Sequence, residues 1–167
     1  MVMEDDNFPP LTDGEYLIEE QEEILLRQVS PRHLMDEGAP SWEAFRPMSK
    51  DADLLSTRRM SLISPRHAFE DHCASGLGTV GSWGVSVQET ALVGARAIDD
   101  AAKAGSPPAH ASVDFRGIES KRAKKNAAMR LAHFATQRGR LHPAETDRPP
   151  RAAASPAARE GVSGPSS

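Results

Sequence analysis

Six histidines, one cysteine and a scatter of carboxylates give this 167-residue chain its means to move protons or hold a metal. His67 and His72 are five apart, and on a helix that step does not turn two rings toward one ion; three or four would. No His-Glu-x-x-His spacing occurs. Cys73 has no second cysteine to join it, so neither a disulfide nor a cysteine-built zinc site can form within one chain. A metal would need ligands from separate segments, such as His33, His110 and Asp114, and none is expected. Gly76-Leu-Gly-Thr-Val-Gly81 spells G-x-G-x-x-G, but it follows a helix signal and enters a strand signal. A dinucleotide site needs the reverse order, because the phosphate rests on the helix that follows the glycines. Arg27, Ser56, Glu89, His110 and Asp114 remain as catalytic candidates: a cation, a hydroxyl, an imidazole and two carboxylates. They form an active site only if the fold draws them into one concave pocket.

A second set of residues suits binding. From Arg116 to Arg140 the chain carries Arg116, Lys121, Arg122, Lys124, Lys125, Arg130, Arg138 and Arg140 against the single Glu119. Arg46, Arg58 and Arg59 stand beside short extended segments. Guanidinium forks and ammonium groups match carboxylate or phosphate. The favoured reading is a binding or accessory protein. Its surface is built from Arg46, Arg58, Arg59, Lys121, Arg122, Lys124 and Lys125, and it meets a protein or other acidic partner. Nucleic acid is the alternative, though aromatics to stack bases are scarce. This reading calls for no cofactor, and it leaves the oligomeric state open.

The elements that must position these residues are partly legible. Ile24 to Val29 reads as helix or short strand, and Pro31 stops it either way. Asp36 to Pro40 is a turn. Ala44 to Arg46 and Asp53 to Thr57 are extended candidates. Ser64-Pro65 opens a helix that ends near Gly76 or Gly78, with Ser64 as cap and Pro65 at the first helical position. Val80 to Val87 reads as a strand in which Gly81 and Gly84 mark a bulge or a close approach. Gln88 to Ala102 suits a second helix with Leu92, Ala95 and Ile98 on one stripe. Ala111 to Phe115 alternates as a strand, and Ile118 to Gln137 as a helix whose stripe is Ala123, Ala127, Leu131, Phe134 and Ala135. The expected fold is a small α+β domain, a mixed sheet with two or three packed helices. An α/β arrangement is the alternative, with Val80–Val87 and Ala111–Phe115 parallel in a βαβ unit.

Composition sets the frame. Residues 1–23 hold carboxylates from Glu4 to Glu23 and no Lys or Arg, and residues 143–167 are rich in Pro, Ala, Ser, Gly and Arg. Neither stretch has the apolar content to offset ordering, so both are expected to be disordered arms around a folded body at 24–142. The acidic arm is a candidate competitor for the basic helix. Lone-cysteine usage, no cationic apolar leader and no long apolar run point to a cytoplasmic protein away from membranes.

Two resemblances rest on these residues. The order Arg27, Ser56-Thr57-Arg58 and Val87-Gln88-Glu89 is similar to the Arg, Ser-Thr-Ser and Glu-x-Glu triad of one class of ADP-ribosyltransferases. That resemblance implies NAD held by Arg27 and Ser56, with Glu89 polarising its ribose. The words Leu26-Arg-Gln-Val29, Ala44-Phe-Arg-Pro47, Leu54-Leu-Ser56, Ser82-Trp-Gly-Val-Ser-Val87 and His110-Ala-Ser-Val-Asp-Phe115, with Lys121 to Gly139 after them, resemble a group of small bacterial proteins of unassigned function. It implies a bacterial source and one compact domain, and carries no activity. That group often reads Val-His-Pro where this chain has Val29-Ser30-Pro31.

Overall fold

A computed structural model describes residues 7–144. The ambiguous run Ile24–Val29 is a strand, because its backbone is paired on both sides and Leu25, Leu26 and Val29 are all buried. We label the strands β1 (Tyr16–Leu17), β2 (Ile24–Val29), β3 (Leu54–Arg59), β4 (Gly81–Ser86), β5 (Arg96–Asp99) and β6 (His110–Asp114). The helices are α1 (Pro65–Ala74), α2 (Val87–Leu92) and α3 (Lys121–Arg138). The strands form one sheet in the order β1-β5-β6-β3-β2-β4, and every pair is antiparallel. The class is α+β.

The βαβ expectation is corrected here. β4 lies at the sheet edge, and β3 and β2 separate it from β6. The cause is local. Ser86 and Glu89 close a capping box that starts α2 at Val87, and Gly94 at φ 87° follows its end. The stretch that spells one helix is therefore a short helix, a left-handed glycine and strand β5. Leu92 is exposed, whereas Ala97 and Ile98 are buried on opposite sheet faces. Ala44-Phe45 is likewise not extended. Trp42–Phe45 is a turn of 3-10 helix that drives Phe45 fully into the core.

One sheet face carries the core. Leu25, Val29, Leu55, Val85, Ala97, Ala111 and Val113 pack with Phe45 and Phe115 against Ala127, Ala128, Leu131, Ala132 and Ala135 of α3. The alanines present little side chain, so this helix can lie close to the sheet. Along the other face the alternating positions are Gln28, Ser56, Arg58, His110, Ser112 and Asp114, and Ala68 of α1 covers only one end. The β4 edge is paired: Ser82 N donates to His142 O at 2.7 Å and Leu141 N donates to Ser82 O at 2.8 Å. That returning segment accounts for Gly84, where a Cβ would sit 2.5 Å from Ile24 Cγ2 and 3.0 Å from Leu141 Cδ1. The close approach is by the chain itself.

The folded body begins before Ile24. β1 pairs with β5, Ile18 is buried, and the Glu15 side chain is 1% exposed between Lys103 and the Arg116 guanidinium. Arginine and lysine partners elsewhere in the chain are what let this acidic stretch pack, and composition taken one segment at a time does not reveal them. Residues 1–6 and 145–167, the outer parts of the two expected arms, lie outside the described residues. Among the described residues no helix is long and apolar enough to cross a membrane.

Candidate binding grooves

Ser120 caps α3 by accepting from Ala123 N at 3.0 Å, and no acidic residue occupies the first turn. Lys121, Lys124 and Lys125 sit there instead, at the end where the helix dipole disfavours cations. Opposite them, the 3-10 turn presents Trp42. Lys125 Nζ lies 5.0 Å and Arg46 Cζ 5.5 Å from the centroid of its ring. Between the two elements runs a groove of about 520 Å³ lined by Trp42, Arg46, Pro47, Met48, Asp53, Lys121, Lys124 and Lys125. Its one carboxylate, Asp53, already holds Lys124 Nζ at 3.1 Å. Ala52 and Asp53 both take positive φ, 56° and 60°, a costly pair of conformations that sets Asp53 beneath that ammonium group. Arg46, Lys121 and Lys125 meet no carboxylate among the described residues.

The proposed binding set is thus divided. Arg46, Lys121, Lys124 and Lys125 converge on this groove, and Arg122 is exposed on the same helix outside its lining. Arg58 and Arg59 do not join them. Arg58 lies on the opposite sheet face, bound to Asp71 at 3.0 Å and to Pro108 O at 2.8 Å. Arg59 is held by Glu23 and Asp99, each at 2.8 Å, with Ser61 Oγ also donating to Glu23. Burial draws the Arg59 guanidinium down, but its two carboxylates outweigh that and leave it above its ordinary range. Successive residues along a strand point to opposite faces, so the adjacent arginines of β3 cannot share one surface. Three of the described carboxylates of the acidic arm are engaged in the same way: Glu15 holds Lys103, and Glu20 and Glu23 hold Arg59. No carboxylate of the described part of the arm lines the basic groove.

The catalytic candidates also separate. Glu89 completes the capping box and accepts both Arg138 nitrogens, at 2.8 and 3.1 Å. Burial raises its carboxyl, yet Arg138 and Ser86 hold it low. Asp114 is fully buried and bound by Arg96 and Arg116, each at 2.8 Å; these bonds outweigh burial and keep it ionised. Arg27, Ser56 and His110 do come together, lining a second groove of about 270 Å³ with Arg58 and His72. The Arg-Ser-Glu order therefore does not converge: Glu89 is tied to α3 through Arg138, away from Arg27 and Ser56. Among the described residues there is no cluster of His, Cys, Asp and Glu fit for a metal.

Sequence reasoning passed over Trp42 and Asp100, and it weighed His72 only as a metal ligand beside His67. A tryptophan four residues before Arg46 in a polar stretch was an available sign for the first groove. His72 and Asp100 act only through residues distant in sequence, and nothing local marks them. Comparison with family models, curated proteins and solved structures found no match to this chain.

Proposed function

We propose that the chain is a binding protein whose groove between Trp42 and the first turns of α3 receives an acidic segment of a protein partner. The observation that carries this reading is the placement of Lys121 and Lys125 at the disfavoured end of a helix, unpaired, around an indole already flanked by cations. An anion entering the groove would relieve like-charge repulsion and gain the helix dipole as well as the ammonium groups. The indole supplies apolar contact beneath the ligand backbone.

The test is a titration of a glutamate-rich peptide into the full chain, followed by Trp42 fluorescence beside Trp83 as the buried internal reference. Saturable binding that weakens as salt rises is expected. Reversal of Lys125 to Glu should weaken it about tenfold, the equivalent of one charge-assisted hydrogen bond. Single-stranded DNA of equal charge serves as the competitor. If DNA binds and the peptide does not, the nucleic-acid reading replaces this one.

A further inference from the structure

β2 and β3 pair only through Leu25–Arg59 and Leu26–Arg58 before they diverge. Arg27 fills the fork. Its Nε donates to Ala44 O at 2.8 Å and its Nη1 to Ser56 O at 3.0 Å, so a guanidinium satisfies a carbonyl that has lost its ladder partner. Nη2 meets no protein acceptor and no carboxylate pairs with Arg27 among the described residues. Burial draws this guanidinium down to about 10, with Asp51 acting weakly against it. A half-buried cation without a counter-charge at hydrogen-bond range is costly.

The groove in front of Arg27 offers no such counter-charge. Arg27, Arg58, His72 and His110 are its ionisable lining; among the described residues no carboxylate lines it, and Asp71 pairs with Arg58 at 3.0 Å from outside the lining. His72 is held low first by burial and then by Arg27 and Arg58, which is the signature of a positive field. His110 is fixed from behind: its Nδ1 lies 2.5 Å from Oδ1 of the buried Asp100, and Ser112 Oγ donates to Asp100 Oδ2 at 2.6 Å. Burial raises the Asp100 carboxyl, but these bonds outweigh it and keep the group ionised. Nδ1 is therefore the donor, and Nε2 is the ring nitrogen left for the groove.

We propose that this groove binds a phosphate-type oxyanion, the end of a phosphomonoester, with Arg27 as its anchor and Arg58, His72 and His110 around it. These four side chains come from β2, β3, α1 and β6, so they surround a ligand on several sides. That suits a tetrahedral group with three or four oxygens better than a planar carboxylate with two. Leu26 and Leu77 form an apolar wall for the organic part of an ester. This site is separate from the Trp42 groove and stands or falls independently of it.

The experiment uses the full chain, with imidazole nitrogen NMR reporting on His72 and His110 and the indole signal of Trp42 reporting on the other groove. Inorganic phosphate and phenyl phosphate are titrated against acetate at matched ionic strength. Saturable movement of the His72 and His110 signals with both phosphates is expected. His72→Ala should weaken it by about threefold to tenfold, as for one lost polar contact. Arg27→Met endangers the fork itself, so Ser56→Tyr, which fills the groove from an exposed position, is the companion variant and should abolish the response. Imidazole signals that stay still while the Trp42 signal moves would overturn the proposal. So would acetate binding as tightly as phosphate, or an undiminished response in Ser56→Tyr.

Discussion

Glu15 shows how a carboxylate drawn from an acidic stretch becomes part of a folded interior. Burial pushes its carboxyl up, but hydrogen bonds from Lys103 Nζ and Thr12 N outweigh that and hold it at about 2, below an ordinary 4.5. A folded pKa below the unfolded one stabilises the protein in full above the unfolded value. That contribution fades as pH falls from about 4.5 toward about 2. It amounts to roughly 3–4 kcal/mol at neutral pH, each pKa unit being about 1.4 kcal/mol. Urea titrations between neutral and acid pH should show wild-type stability falling through that window. Glu15→Gln should start lower and fall less steeply, and parallel curves would show that Glu15 does not drive the acid limb. At Gly84 the constraint is steric: Gly84→Ala must displace Ile24 or Leu141, and a loss of about 1–3 kcal/mol in chemical denaturation is expected.

At the scale of elements, α3 holds two opposed demands. Its inner stripe, centred on Ala128, Leu131 and Ala135, anchors the sheet, while its first turn gathers cations where the dipole resists them. Lys121→Glu should therefore raise thermal stability, by about 0.3–1 kcal/mol, and at the same time weaken binding of an acidic peptide. Peptide binding unchanged in Lys121→Glu would show that Lys121 has no part in the groove. α2 is the counterpart held by its cap. Only six residues long, it depends on the reciprocal Ser86–Glu89 bonds and on Arg138 reaching across from α3. Ser86→Ala should cost about 1 kcal/mol, measured by urea denaturation.

For the whole molecule, the sheet joins the ends of the described chain to its middle. β1 closes one edge, and Leu141 with His142 pairs along the other. Phe8 lies with the Arg96 guanidinium 4.4 Å from its ring centroid, and Pro9 O accepts from Arg96 Nη2 at 2.8 Å. Removal of residues 1–23 is thus expected to destabilise the fold, through lost pairing at β5, loss of the Glu15 partner of Lys103, and loss of Glu23 and Pro9 as partners of Arg59 and Arg96. A truncation at 23 that melts like the full chain would mean that this segment contributes no stability.

Patterns repeated within a few residues were legible without a structure. The Ser64-Pro65 start of α1, the alternation that became β6 and the alanine–leucine stripe of α3 each declare themselves locally, because capping, pleat and helical period are local physics. The cationic character of α3 was also visible, for charge can be read without a fold. Other features came only from distant partners. Residues 96–99 became a strand through β6, and the acidic stretch packed through Lys103 and Arg59. Arg58 and Arg59 were divided between faces by the pleat, and Trp42 met Lys125 across a long stretch of chain. Pairing and desolvation depend on what lies opposite a residue, and the linear order of residues does not contain that information.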